Sequence, residues 1–72
     1  MTPRLPQLSA RDLIRLLQRH GFALERQSGS HAVYRHADGR WTTVPIHGKR
    51  DIGRGLLSRI LKDAGLTLDD IQ

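Results

Sequence analysis

Two stretches of the chain place apolar residues at helical spacing. The first runs from Ser9, a predicted N-cap, to Gly21, a predicted helix stop, and its apolar positions include Leu13, Leu16 and Leu17. The second ends at Gly65 and carries the stripe Ile52, Leu56, Leu57, Ile60, Leu61 and Ala64. The segment from Thr67 to Asp70 then has the pattern of a cap and one more helical turn. These patterns predict two amphipathic helices and a short final one.

Three stretches between the helices predict strands, at residues 22–27, 31–36 and 41–46. Asp38-Gly39 is a strong signal for a hairpin between the last two. A two-residue loop at that dipeptide pairs Val33 with Val44, Tyr34 with Thr43, and His31 with Ile46. Val33, Val44 and Ile46 then cover the helices, and His31 lies at the rim of that same face. The open face receives Tyr34, His36 and Trp41.

The order of these elements predicts one α+β domain over residues 1–72. It is an α-β-β-β-α arrangement, with a three-stranded antiparallel sheet and both helices on one face. This is the layout of a double-stranded-RNA-binding-like fold, although a fold by itself does not establish a function.

Charge adds a hint about the partner. The chain has 12 Lys and Arg residues against 7 Asp and Glu, for a net charge of +5, and residues 63–72 hold three of the acids and no base. A basic body suits a polyanion such as nucleic acid, although such a charge also serves solubility. The chain has no cysteine, no membrane-spanning apolar run and no secretory signal pattern, so we expect a cytoplasmic protein that makes no use of the membrane.

The sequence offers no recognisable metal or cofactor site. Its acids are dispersed, which argues against a two-metal nuclease, and neither a phosphate-binding glycine loop nor a zinc-ligand spacing is present. We therefore expect no cofactor, and any catalysis has to use histidine and arginine.

Two of the four histidines are candidates for proton transfer. Imidazole titrates near neutral pH, so it can take a proton from a ribose hydroxyl or give one to a leaving oxygen. His31 follows Gly29-Ser30, a turn able to bring backbone N–H groups close to a phosphate. His47 lies beside Lys49 and Arg50 in a basic loop, where phosphate binding and simple solvation are equally reasonable. The residues alone do not decide between them.

The remaining aromatic and imidazole side chains have structural interpretations. His20 ends the first helix, where a cation is favourable, and His36 is expected to stack on Trp41 across the hairpin. Tyr34 and Trp41 could stack bases or be covered by a partner protein, and the size of such an apolar patch slightly favours the protein.

Taken together, the chain resembles the HicA toxin family from about Leu5 to Ile71. The residues that carry this resemblance are Gly21-Phe22, Arg26, Gly29-Ser30-His31, Tyr34, Gly39, Pro45-Ile46-His47, Gly55, Ile60-Leu61 and Gly65. Each piece is weak alone, but their order and spacing in so short a chain are specific.

The resemblance implies an mRNA interferase with a double-stranded-RNA-binding-like fold and no known metal. It implies that His31 of the Gly29-Ser30-His31 motif is catalytic and that a HicB antitoxin covers the active site. We expect Lys49, Arg50 and Arg54 to collect mRNA and His47 to assist, with Gly29 and Ser30 holding the phosphate. A non-catalytic RNA-binding module and a pure interaction protein remain alternatives.

Overall fold

The computed structural model describes residues 7–46 and 51–71. Three antiparallel strands in the order β1-β2-β3 form one sheet, preceded by one helix and followed by two. The elements are α1 (Ala10–Arg19), β1 (Phe22–Ser28), β2 (His31–His36), β3 (Trp41–Pro45), α2 (Arg54–Ala64) and α3 (Leu68–Ile71). The predicted α+β fold of the α-β-β-β-α type is confirmed.

Local capping explains where α1 begins and ends. The Ser9 hydroxyl accepts a hydrogen bond from the Asp12 N–H at 3.2 Å, which satisfies one of the free donors of the first turn. Leu13 and Leu17 are fully buried beneath the helix. Gly21 follows with φ +92°, as its predicted role as helix stop requires.

The two C-terminal helices also match the pattern in the sequence. Leu57, Ile60 and Ala64 of the predicted stripe are essentially inaccessible to water, and Leu56 is partly buried. Ile52 is buried but lies before the helix, contrary to the prediction, because Gly53 is extended (ψ 151°) and α2 begins only at Arg54. Before α3, the Thr67 N–H donates to the Asp70 carboxylate at 2.7 Å and the Thr67 hydroxyl donates to it at 3.1 Å. These bonds tie Thr67 to the third residue of α3 and so cap a helix of a single turn.

The β2–β3 hairpin differs from the prediction by one residue. Its loop has three residues, Ala37, Asp38 and Gly39, because the His36 N–H donates to the Arg40 carbonyl at 2.8 Å and the Gly39 N–H to the His36 carbonyl at 3.0 Å. Gly39, at φ +100°, occupies the left-handed position that such a loop requires.

With this longer loop, each residue of β2 pairs with β3 one position earlier than predicted. The predicted register is therefore wrong, and the side chains of β2 lie on the opposite faces of the sheet. Tyr34 pairs with Thr42 and Val33 with Thr43. The face beneath the helices contains Ala32, Tyr34, Thr42 and Val44, all buried. Val33 and His31 lie on the other side, which we call the open face, and Tyr34 has left that side for the core. A one-residue change of register has this effect because side chains alternate with period two.

Two further predictions about side-chain packing are wrong. His36 does not stack on Trp41; it packs edge-on against Phe22, with ring centroids 5.2 Å apart. Strand β1 is not half buried, because Phe22 is its only buried residue and Leu24 is half exposed. A bulge between Leu24 and Arg26 interrupts the alternation on this edge strand.

The start of α1 is also linked to the segment that precedes α2. Ser9 and Asp51 form an isolated antiparallel bridge, and the Ile52 N–H donates to the Leu8 carbonyl at 2.7 Å. Among the described residues, none of the helices combines the length and apolar character needed to cross a membrane.

Candidate active site

A tight turn joins β1 to β2 and presents the candidate catalytic histidine. Ser28 and His31 are paired across it, so Gly29 and Ser30 are its two central residues. Gly29 has φ +59° whereas Ser30 has a negative φ, the combination found in a type II′ turn with glycine first. A Cβ at Gly29 would meet no atom within 4 Å, so backbone conformation rather than crowding favours glycine here.

His31 is exposed at the first position of β2 and lies on the open face. Its strand neighbours are Ser28 on one side and Pro45 on the other. The turn is held from both sides, because the Ile46 N–H donates to the Ser30 carbonyl and the Gln27 side-chain amide donates to the Gly29 carbonyl at 3.3 Å. The imidazole is therefore presented to solvent from a well-supported backbone.

The open face beyond His31 carries cationic side chains that sequence reasoning did not select. Arg35 is four residues further along β2 on the same face, and its guanidinium pairs with Glu25 at 2.8 Å. Arg26 is placed on this face as well, since it pairs with Val33 after the bulge. Because side chains alternate along a strand, counting in steps of two from His31 would have placed Arg35 on the same face.

Among the predicted RNA-binding residues, Gly29, Ser30 and Arg54 are described. Arg54 is exposed at the start of α2, and the end of that helix lies against the start of β3, where Thr42 donates to Asp63 at 3.2 Å. Arg54 is at the opposite end of α2 from this contact. His47, Lys49 and Arg50 lie outside the described residues.

The chemistry open to this site is proton transfer at an accessible imidazole. A strand docked on the open face can bring a ribose hydroxyl within reach of His31, and histidine is suited to both general base and general acid roles. Within residues 7–46 and 51–71, His, Asp and Glu side chains form no group of three able to hold a metal ion.

Trp41 is the one predicted aromatic contact that remains on the open face. It is 54% exposed, whereas burial removes Tyr34 from that surface and raises the pKa of its hydroxyl. Trp41 also borders a cleft that continues around the free edge of β3 to α2. The sequence did not indicate the α2 residues of this cleft, Arg59 and Asp63, since only tertiary packing brings them to β3.

Comparison with known proteins gives one result. The family model described as the HicA toxin of bacterial toxin-antitoxin systems matches residues 10–66, from the first residue of α1 to just beyond α2. No curated relative matches the chain.

Proposed function

The chain belongs to the HicA toxin family of bacterial toxin–antitoxin systems, and from that premise we propose that it is an endoribonuclease that cleaves mRNA with His31. The observation that carries the proposal is the position of His31, exposed on the open face directly after the Gly29-Ser30 turn. The chain's positive charge, +5 overall, supports RNA as the polyanion that it binds.

In the proposed mechanism His31 acts on the ribose next to the scissile phosphate. Its neutral imidazole takes the proton of the 2′-hydroxyl, and the resulting 2′-oxygen attacks the adjacent phosphorus. The bond from phosphorus to the 5′-oxygen breaks, and this oxygen takes up a proton. The products are a 2′,3′-cyclic phosphate and a 5′-hydroxyl, so the reaction consumes neither a metal ion nor a cofactor.

The turn and the nearby bases would hold the substrate. Gly29 and Ser30 can present N–H groups and a hydroxyl to the phosphate that is attacked, because both are exposed and Gly29 adds no side chain. Arg54, together with Lys49 and Arg50 from the sequence, would attract the flanking phosphates. His47 is the candidate for the second proton transfer. We place the activity in the cytoplasm, where a HicB-like antitoxin would cover the site.

The decisive experiment is RNA cleavage by purified, partner-free protein in EDTA, with wild type beside His31→Ala. His20→Ala is the matched control, because it makes the same change at the half-buried C-cap of α1. We expect wild type and His20→Ala to cleave to 2′,3′-cyclic phosphate ends. His31→Ala should bind RNA equally and lose at least about 100-fold in rate, as expected when general acid–base catalysis is removed.

Other results would contradict the proposal. If folded wild type binds RNA without cleaving it, the chain is a non-catalytic RNA-binding module. If His31→Ala cleaves as fast as wild type, the catalytic residue lies elsewhere, and His47 is the next to test. A metal requirement, or 5′-phosphate products, would rule out this mechanism.

A further inference from the structure

Trp41 is the only tryptophan of the chain, and more than half of its surface is exposed. It begins β3 and pairs with Arg35 of β2, which places it on the open face. The other exposed large apolar side chain among the described residues, Leu24, lies on β1 at the opposite edge of the sheet. The exposed indole is therefore an isolated aromatic surface beside a cation.

The indole borders an open cleft of about 370 Å³ at the free edge of β3. Its lining combines strand residues with residues of α2, namely Gly39, Arg40, Trp41, Thr43, Arg59 and Asp63. Arg59 pairs loosely with Asp63 at 3.8 Å, and its side chain is 65% exposed, so the guanidinium is accessible to a phosphate. The cleft thus offers a ring to stack on and a cation within the same space.

Trp41, which borders the cleft, lies on the same open face as His31. Arg35, the partner of Trp41, is four residues from His31 along β2, a distance of roughly 13 Å at about 3.3 Å per residue. A stacked nucleic-acid strand advances about 3.4 Å per nucleotide, and an extended one advances further. Two to four nucleotides therefore span the distance from the imidazole to the indole.

We propose that Trp41 is a base-stacking subsite for single-stranded RNA, two to four nucleotides from the phosphate that is cleaved at His31. This inference rests on the proposed function. Aromatic side chains bind single strands in this way because every base has a π-face, while neighbouring arginines neutralise the backbone. Arg35 and Arg59 lie on the two sides of the indole, and each is held only by an exposed, weak ion pair that a phosphate can replace.

The carboxylates around Trp41 do not oppose RNA binding. Each carboxylate near the indole is already paired with an arginine: Glu25 with Arg35, Asp63 with Arg59, and Asp38 with Arg40. These acids therefore offer little repulsion to a phosphate backbone. The argument for a covering protein rested on a patch of two exposed aromatics, and burial of Tyr34 leaves only one.

The single tryptophan supplies a direct test, because stacking of a base quenches its fluorescence. The probe is a short single-stranded oligoribonucleotide with 2′-O-methyl groups throughout, which lacks the attacking hydroxyl and is not cleaved. We expect saturable quenching of Trp41 that follows binding measured by anisotropy. An abasic ribose-phosphate oligomer of equal length is the control, and we expect it to bind without quenching.

Variants test the energetic contribution of the indole. We expect Trp41→Ala to weaken binding of the probe by about 10- to 100-fold, with Trp41→Phe between Ala and wild type. Leu24→Ala removes an equally exposed apolar side chain at the other edge and should leave binding unchanged. Circular dichroism melting confirms that each variant is folded.

The outcomes separate this inference from the proposed function. Cleavage of unmodified RNA without quenching by the probe, or unchanged binding by Trp41→Ala, overturns the stacking subsite. Quenching and loss of affinity in a wild-type protein that does not cleave RNA support the subsite and contradict the endoribonuclease.

Discussion

At the scale of single residues, Arg40 connects three parts of the fold. Its guanidinium donates to the Ala64 carbonyl at the end of α2, lies 5.3 Å from the centre of the Phe22 ring, and pairs with Asp38 at 2.8 Å. A cation at the C-terminal end of a helix is favourable, because it satisfies a free carbonyl and complements the helix dipole. Arg40 therefore links the β2–β3 loop to α2 and to the core.

We predict that Arg40→Met lowers the free energy of unfolding by about 1–2 kcal/mol, because the Ala64 carbonyl loses a charged donor and Phe22 loses a cation. Urea denaturation measures the change. Arg35→Met is the matched control, since it removes only an exposed ion pair and should cost at most about 0.5 kcal/mol. Equal effects of the two substitutions would show that the Ala64 contact contributes no stability.

At the scale of elements, α3 depends on its cap. The Asp70 carboxylate accepts hydrogen bonds from the Thr67 N–H and from the Thr67 hydroxyl. These two bonds, the backbone one first, hold the pKa of Asp70 below its usual value of 3.8. A carboxyl group with a lowered pKa in the folded state stabilises the fold above its unfolded pKa. This stability is lost as the pH falls through the folded value. The short helix also contributes Ile71, which packs against the core.

We predict that Asp70→Asn lowers the urea midpoint at pH 7 and that the difference from wild type disappears well below pH 3.8. The variant loses the charged acceptor at neutral pH, whereas acid removes the same charge from wild type. Asp69→Asn is the matched control, because it makes the same substitution one residue earlier, away from the cap. At pH 7 its urea midpoint should be higher than that of Asp70→Asn. A difference that persists unchanged in acid would assign the effect to packing.

The hairpin shows where prediction of an element fails. Asp38-Gly39 is compatible with a two-residue loop and with the three-residue loop that forms, so the dipeptide predicts a turn without determining its length. The choice follows from tertiary contacts, since the observed register buries Tyr34 and lets Thr42 donate to Asp63 of α2. The helices and their caps were predictable because these signals are local. The face on which His31 lies was not predictable, because it depends on the length of the hairpin loop.

At the scale of the whole molecule, the positive charge predicts how RNA binding responds to salt. Each phosphate contact with a single strand contributes a slope of about −0.7 to the dependence of log affinity on log salt. We predict that Arg54→Gln makes the slope less negative by about 0.7, measured by anisotropy with the 2′-O-methyl probe. Arg19→Gln, a change at the exposed end of α1 farthest from the Ser9–Asp51 bridge, should leave the slope unaltered. A slope near zero for wild type would favour the interaction-protein alternative.

The candidate site was predictable only in part, for a related reason. The Gly29-Ser30-His31 segment is contiguous in sequence, so its turn could be anticipated from residue types alone. Arg59 and Trp41 are 18 positions apart, and only the packing of α2 against β3 brings them to one cleft. A site assembled from distant segments leaves no short motif in the sequence.

The sheet order β1-β2-β3 has a consequence for the speed of folding. Every strand pairs with its neighbour in sequence, so the sheet forms from two adjacent hairpins without closing a long loop. Contacts of this kind form early, since a single hairpin forms in about 1–10 μs. The sheet is therefore not the slow step by which the chain reaches its fold; the later step is the Ser9–Asp51 bridge, which closes a much longer loop.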